Sequence, residues 1–160
     1  MAAEQKTNVM RLLEQKKVAY TPHHYPAADP VPDGVTIAAL VGKPAEQVFK
    51  TLVTRGASGQ YYVFVVPVAR SLDLKKAARA VGERSIAMLP QRELLPLTGY
   101  VHGGCSPVGM KKPFPTWIDE TALLTDAFFC SAGRLGAQIG VDPETLADYI
   151  GAQFADLTEE

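Results

Sequence analysis

The segment Thr98–Lys112, with the sequence TGYVHGGCSPVGMKK, combines four glycines with a histidine, a cysteine, a serine and a terminal lysine pair. The adjacent Gly103 and Gly104 have no Cβ atoms, so their backbone N–H groups can approach a ligand closely. N–H groups placed in this way stabilise the oxyanion that forms during acyl transfer. The segment equally fits a solvent-exposed loop with unusual backbone angles. Its spacing matches neither a Walker A loop nor a dinucleotide-binding fingerprint.

His102 and Cys105 in the same segment suggest a thiol nucleophile with a neighbouring base. They are three residues apart in a predicted loop, where no helical periodicity brings them together, and no nearby residue would orient the histidine. The other interpretation is a small buried thiol. A hydrolase that depends on Cys105 is therefore the least favoured alternative.

A second glycine-rich segment, SAGRLG at 131–136, directly follows the apolar run AFFC. Loops at strand ends often contact ligands, and they also occur simply as turns. Because no histidine or lysine stands next to Ser131 in the sequence, its hydroxyl is better suited to hydrogen bonding than to nucleophilic attack.

Lys50 stands in the apolar run AEQVFKTLVT, directly after Phe49 and two residues before Leu52. An ammonium group buried without partners is strongly unfavourable. Alternatively, the side chain lies along the core and keeps its charge in water. The local sequence leaves both interpretations open.

Metal binding is not predicted. The adjacent His23 and His24 would point to opposite faces of a strand, and Cys105 and Cys130 lack the Cys-x-x-Cys spacing of a metal site. The basic pairs Lys75–Lys76 and Lys111–Lys112 are typical of a solvated surface. They would neutralise a few phosphates if both bordered one pocket.

The chain of 160 residues is predicted to form one domain, residues 1–160, with a sizeable core. A hydrophobic fraction of 47% is ordinary for a globular protein. Because the net charge is only −1, any binding of nucleic acid would have to use a local basic patch of the surface. No apolar run approaches the about 20 residues that span a bilayer, and the N-terminal sequence lacks secretory features. With two cysteines and no disulfide framework, we expect a cytoplasmic protein without membrane contact.

The order of elements predicts an α+β fold with a mixed sheet, because strands and helices follow no regular βαβ rhythm. Helices are expected at 8–17, 35–41, 45–48, 72–81 (capped by Ser71) and over PETLADYIG. Extended segments are expected at 18–25, in a hairpin of TLVT and YYVFVVPV, and over SIAML, PTWID, AFFCSA and AQIGV. The proline-rich stretch 26–34 is expected to be a loop.

Five separated motifs occur in an order and spacing that resemble the YbaK/EbsC family: VFKTLV, PVARSLDLKKAARAVG, TGYVHGGCSPVGMKK, PTWID and SAGRLG. The resemblance covers nearly the whole chain. This family resembles the editing domain inserted in some prolyl-tRNA synthetases, and LDLKK and SPVGMKK favour its freestanding YbaK-type deacylases. The resemblance implies a single domain with a mixed, partly barrel-like sheet surrounded by helices.

The resemblance also implies a set of site residues. The family's lysine aligns with Lys50, and its amide-bearing glycines align with Gly103 and Gly104, so these three are the predicted catalytic residues. The predicted substrate-binding residues are Tyr25, Thr51, Ser131 and Gly133. The candidate tRNA contacts are Lys75, Lys76, Lys111 and Lys112.

Two positions depart from the family pattern. Relatives usually read Ser-Gly-Gly where this chain has Ser131-Ala132-Gly133, and many carry an aspartate near position 138, where this chain has Gln138. The methyl group of Ala132 would narrow the pocket, and the absent carboxylate would remove a partner for an amino group. Both changes affect the expected identity of the cleared amino acid. They have less effect on the expectation that the protein deacylates tRNA.

The activity implied by the resemblance is trans-editing, in which the ester of proline tRNA mischarged with cysteine is hydrolysed. No convincing protein base or nucleophile is present, so the substrate's own thiol or the ribose hydroxyl would assist. The implied partners are this aminoacyl-tRNA and prolyl-tRNA synthetase, with no cofactor and no metal. The alternatives are clearance of another amino acid, such as alanine from proline tRNA, and non-catalytic binding of tRNA or a synthetase.

Overall fold

The computed structural model describes residues 6–28 and 30–159, which form two β-sheets and five α-helices. The helices are α1 (Asn8–Gln15), α2 (Gly34–Val41), α3 (Leu74–Val81), α4 (Leu94–Thr98) and α5 (Pro143–Ile150). The strands are β1 (Tyr20–His24), β2 (Phe49–Gly56), β3 (Tyr61–Pro67), β4 (Ile86–Met88), β5 (Thr116–Asp119), β6 (Phe128–Ser131), β7 (Ala137–Val141) and β8 (Gln153–Ala155). Within these described ranges, no helix is long and apolar enough to cross a membrane.

The strands are divided between two sheets, one of which is mixed, as predicted. The smaller sheet has the order β1-β7-β6 and is antiparallel throughout. The larger sheet has the order β4-β2-β3-β5-β8 and is mixed, because β5 runs parallel to both of its neighbours. A parallel bridge between Val48 and Phe129 connects the two sheets where β2 begins. This short junction leaves the fold α+β, as predicted, without a closed barrel.

The largest hydrophobic core contains side chains from both sheets. Phe49 on β2 and Phe128 on β6 meet edge to face, with ring centroids 5.2 Å apart. Leu13 of α1 and Leu146 of α5 are completely buried in the same core. Because each sheet covers an apolar face of the other, the position of β2 relative to β6 and β7 is fixed by packing.

Most predicted elements are present, and their ends follow local capping. The predicted cap Ser71 is wrong: α3 begins at Leu74, and the Asp73 carboxylate accepts hydrogen bonds from the amides of Lys75 and Lys76. Two short elements, α4 and β8, were not predicted. The proline within α4 and the three-residue length of β8 explain why their patterns are weak.

Asp119 ties the larger sheet to the C-terminal segment and offers a direct test of the fold. Its buried carboxylate accepts hydrogen bonds from the Leu157 amide at 2.9 Å and the Thr121 amide at 3.2 Å. Asp119→Ala should therefore lower the free energy of unfolding by about 2–3 kcal/mol. Asp142→Ala, which removes an exposed cap of α5, should cost about 1 kcal/mol. Urea denaturation of both variants measures the difference, and equal losses would contradict the structural role of Asp119.

Candidate active site

A cavity of about 290 Å³ opens where β2 begins, next to the junction of the two sheets. Its lining comes from β2, β6, β7, α2, the glycine-rich segment 98–112 and the proline-rich loop. The polar and charged lining residues are Asp33, Lys50, Thr51, His102, Cys105, Ser131 and Gln138. Four predicted site residues, Lys50, Thr51, Gly103 and Ser131, are thus brought together from three distant parts of the chain.

Lys50 is half-buried on β2 in the cavity wall. Burial lowers the pKa of its ammonium group below the ordinary value of 10.5, because water no longer fully solvates the charge. Among the described residues, no carboxylate forms an ion pair with it. An unpaired cation beside a cavity attracts a phosphate or a developing oxyanion.

Thr51 and Gln138 contribute buried polar atoms without partners. Thr51 Oγ1 and Gln138 Oε1 have no hydrogen-bond partner within the described part of the chain, although both residues line the cavity. A buried polar atom left unpaired costs about 1–3 kcal/mol. Two unpaired polar atoms therefore lie buried beside the cavity, each with almost no accessible surface of its own.

Ser131 is held by the glycine-rich turn that follows β6. The Gly133 amide donates a hydrogen bond to Ser131 Oγ at 3.1 Å, so the serine proton stays available to a ligand. Gly133 itself has φ of +98°, and it lies outside the cavity lining. The structure therefore places Gly133 behind Ser131, where it orients the hydroxyl.

The two adjacent glycines occupy different environments. Gly103 lines the cavity, and its amide has no hydrogen-bond partner in residues 6–28 and 30–159. The Gly104 amide instead donates to the Val101 carbonyl at 3.0 Å. A Cβ at Gly104 would lie 3.0 Å from the backbone carbonyl carbon of Arg134, so this glycine allows two loops to pack closely. Of the two amides, only that of Gly103 is without a hydrogen-bond partner within the described residues.

Tyr25 is not brought to this cavity. It is buried directly after β1, and its amide donates to the Gly136 carbonyl at 3.0 Å. It lines a separate groove together with Arg134. Its hydroxyl is buried without a partner within the described residues, so a ligand contact for Tyr25 stays a prediction.

The four lysines predicted to contact tRNA also lie away from the cavity lining. Lys76 donates to the Asp156 carboxylate at 3.0 Å and to the Thr158 carbonyl at 2.8 Å, which ties α3 to the C-terminal segment. Lys111 reaches the Pro96 carbonyl at 3.4 Å, while Lys75 and Lys112 are exposed. The two basic pairs do not border this cavity together, and their contact with tRNA stays a prediction.

Cys105 forms part of the cavity wall but is poorly suited to nucleophilic attack. Burial raises the pKa of its thiol to about 12, so the reactive thiolate is scarce at neutral pH. His102 is exposed, and no hydrogen bond joins it to Cys105 among the described residues. The geometry favours the interpretation of Cys105 as a buried wall residue. Also within the described part of the chain, no cluster of three or more His, Cys, Asp or Glu residues could hold a metal ion.

The apolar part of the lining was not foreseen from the sequence. It includes Val31 of the proline-rich loop, Ile37 of α2, Val48 and Leu94. Loop length and apolar character alone do not show that residues 31–34 fold over the start of β2. Gln138 was noted only as a departure from the family pattern, and the structure places it in the wall.

Comparison with known proteins assigns the chain to a family. Residues 28–149 match the model of the aminoacyl-tRNA editing domain, and the chain belongs to this family. A relative from Enterococcus faecalis is 41% identical over 155 residues, covering 97% of this chain and 94% of its own. That relative is described as a candidate Cys-tRNA(Pro)/Cys-tRNA(Cys) deacylase, EbsC.

Two further proteins with names that concern proline tRNA synthetases are similar to this chain. A crystal structure described as a candidate trans-editing enzyme for prolyl-tRNA synthetase has a TM-score of 0.81 and 30% identity, covering 98% of this chain and 100% of its own. A proline–tRNA ligase from Fervidobacterium nodosum is 29% identical over 99 residues, which are 62% of this chain and 16% of the ligase.

Proposed function

We propose that this protein hydrolyses the ester bond of aminoacyl-tRNA, with cysteine mischarged on proline tRNA as its substrate. The observation that carries the proposal is the unpaired Lys50 ammonium in a cavity that also holds the free Gly103 amide and the Ser131 hydroxyl. The family match and the name of the Enterococcus relative support the same activity.

The carbonyl of the ester would lie between Lys50 and Gly103. When the carbonyl carbon becomes tetrahedral, its oxygen gains negative charge, and a fixed cation and an N–H donor stabilise that charge more than the neutral ester. Ser131 is placed to donate a further hydrogen bond to the ester or the ribose. Lys50, Gly103 and Ser131 thus bind and polarise the reacting group.

The nucleophile would come from the substrate or from water. Two lining residues that could have served as base or nucleophile are not available for this role. Asp33 accepts a hydrogen bond from the Thr36 amide at 2.8 Å as the cap of α2, and the Cys105 thiol is protonated. If the cysteinyl thiol attacks, its sulfur bonds to the carbonyl carbon, the ester C–O bond breaks and the ribose oxygen takes the thiol proton. Water then adds to the carbonyl of the resulting cyclic thioester, the C–S bond breaks, and free cysteine with its thiol restored is released. Alignment of such groups contributes roughly 7–11 kcal/mol in favourable cases.

The decisive experiment compares three aminoacyl-tRNAs. Purified protein would be incubated with cysteinyl-, alanyl- and prolyl-tRNA(Pro), and the release of each amino acid would be followed over time. We expect cysteine to be released fastest and proline to be retained. Preferential release of alanine would redirect the proposal to that substrate, and absence of turnover with all three would favour a non-catalytic binding protein.

We extend the proposal to the whole chain and its partners. Residues 1–160 would act as one editing module in the cytoplasm, where it would meet aminoacyl-tRNA and prolyl-tRNA synthetase. The ligase match from Fervidobacterium supports this partner, because a segment similar in sequence to this chain occurs inside a proline–tRNA ligase. Adding the synthetase to the deacylation assay is expected to increase the rate with cysteinyl-tRNA(Pro).

Cys105→Ala should leave most of the deacylation rate intact. The thiol is protonated at neutral pH and has no activating base, so its removal takes away wall volume and no reactive group. Initial rates with cysteinyl-tRNA(Pro) measure the effect, with circular dichroism to check folding. Complete loss of the rate in a folded variant would support a hydrolase that depends on Cys105.

A further inference from the structure

Tyr100 belongs to the glycine-rich segment 98–112 and lies outside the lining of the cavity. Its ring packs against the largest hydrophobic core, and burial raises the pKa of its hydroxyl to about 12, so the group is a protonated donor at neutral pH. The hydroxyl donates a hydrogen bond to the Val108 carbonyl, and the Tyr100 amide donates to Thr98 Oγ1 at 3.0 Å. These bonds fix the tyrosine within its own segment.

The Tyr100 side chain lies against a glycine of each glycine-rich segment. A Cβ atom at Gly133 would lie 3.2 Å from Tyr100 Cε1, and a Cβ atom at Gly109 would lie 2.9 Å from the Tyr100 hydroxyl oxygen. Val9 Cγ2 of α1 would lie 2.9 Å from the same added atom at Gly133. Because a Cβ at Gly133 would crowd both neighbours, the aromatic ring and α1 together limit where the turn after β6 can lie.

Gly133 connects this packing to the cavity. Its amide donates to Ser131 Oγ at 3.1 Å, and Ser131 lines the cavity. The Ala132 amide donates to the Ala137 carbonyl at 2.9 Å, which closes the turn between β6 and β7. A displacement of Gly133 within the closed turn would therefore move the donor that orients the Ser131 hydroxyl.

We propose that Tyr100 is a positioning residue whose ring holds Gly133, and through it the Ser131 hydroxyl, in the orientation needed for deacylation. This inference rests on the proposed function and adds a residue that does not touch the substrate. The contact joins the segment that carries Gly103 to the turn that carries Ser131, so the two sides of the cavity keep a fixed relation.

Two substitutions separate the ring from the hydroxyl. Tyr100→Leu removes the ring, and leucine ends at Cδ, so it does not reach the position of Cε1 beside Gly133. Tyr100→Phe keeps the ring and removes only the hydrogen bond to Val108. Both variants should unfold at a lower temperature, by about 2–4 °C for Tyr100→Phe. In single-turnover assays with cysteinyl-tRNA(Pro), Tyr100→Leu should be about ten-fold slower, whereas Tyr100→Phe should stay within about two-fold of the full rate.

A double-mutant cycle with Ser131→Ala tests whether the effect passes through the serine. Ser131→Ala alone should be about ten-fold slower, because one hydrogen bond to the reacting group is lost. Adding Tyr100→Leu should slow the reaction by less than about two-fold more, since the hydroxyl that Tyr100 positions is already absent. Equal losses in both backgrounds would show a general packing effect and overturn the inference. Full activity of Ser131→Ala or of folded Tyr100→Leu would overturn it as well.

Gly133→Ala disturbs the same contact from the glycine and replaces Tyr100→Leu if that variant does not fold. Its Cβ would press against Tyr100 Cε1 and Val9 Cγ2. The variant should also be about ten-fold slower alone, and less than about two-fold slower when added to Ser131→Ala. Equal losses in the two backgrounds would again contradict a role through the serine.

Tyr149→Leu is the matched control. Tyr149 of α5 is a partly buried tyrosine that packs against the same core, and it lies outside the cavity lining. Its substitution should lower the unfolding temperature without changing the deacylation rate. A loss of rate as large as that of Tyr100→Leu would show that core packing in general sets the rate, and it would overturn the inference.

Deacylation by the unmodified protein separates the two proposals. If it hydrolyses cysteinyl-tRNA(Pro) while Tyr100→Leu slows both backgrounds equally, the inference alone fails. If it releases no amino acid from any of the three aminoacyl-tRNAs, the proposed function fails and this inference fails with it.

Discussion

Lys50→Ala is expected to slow the deacylation of cysteinyl-tRNA(Pro) by about 100- to 1,000-fold, as loss of one preorganised oxyanion donor does in other hydrolases. The ammonium group lies in the cavity wall without an ion pair among the described residues, so its charge is available to the ester oxygen. Single-turnover rates with saturating protein measure the chemical step. Lys16→Ala, which removes an exposed lysine outside the cavity, should retain the full rate.

The effect of substituting Lys50 on the stability of the protein distinguishes a functional lysine from a structural one. Since burial holds the pKa of Lys50 below 10.5, the folded state binds fewer protons than the unfolded state between the two pKa values. The protein should therefore become more stable as pH rises through that range. Lys50→Met should be at least as stable as the unmodified protein at pH 7, and its advantage should shrink as pH approaches 10.5.

A pronounced loss of stability in Lys50→Met would show that the ammonium supports the fold. Retention of activity in Lys50→Ala together with inactivity in Cys105→Ala would overturn the editing mechanism in favour of a cysteine hydrolase.

Gly103→Ala is expected to reduce deacylation as severely as Lys50→Ala. Gly103 has φ of +86°, and a Cβ there would come within 2.7 Å of Val31 Cγ1 and 2.9 Å of Leu135 Cδ2. An alanine would therefore combine backbone strain with displacement of the loop that carries the free amide. The amide would move relative to Lys50, and a shift of about 1 Å costs roughly 100-fold in rate.

Gly99→Ala provides the matched control. Gly99 has a similar φ of +87°, but an added Cβ would meet only the flexible Lys111 side chain, at 3.4 Å. Both substitutions carry the strain of a positive φ, so their difference isolates the crowding against Val31 and Leu135. Similar rates in the two variants would argue that the position of the Gly103 amide is unimportant for catalysis.

Local signals explain why the elements themselves were largely predictable. The hairpin of β2 and β3 follows from dense β-branched and aromatic residues around a turn, and α5 follows from Asp142 before Pro143. The errors arose where the local signal was short or interrupted, as in α4 with its internal Pro96. The start of α3 was displaced because Asp73, two residues after Ser71, offered a competing cap.

The separation into two sheets could not be derived from local sequence. Strand patterns identify which residues alternate between faces, but they do not specify partners. The order β1-β7-β6 pairs Tyr20–His24 with Ala137–Val141, more than a hundred positions along the chain. Such pairing depends on which apolar faces cover one another once the chain is compact.

The sequence by itself determined most of the secondary structure, the α+β class and, through motif order, the editing-domain family. It also nominated Lys50, Thr51, Gly103 and Ser131. Only the tertiary structure decided that these four line one cavity, that the Gly104 amide is occupied and that Gln138 has an unpaired oxygen beside that cavity. The physical reason is that burial and hydrogen-bond satisfaction depend on neighbours distant in the chain, whereas propensity and capping depend on neighbours a few residues away.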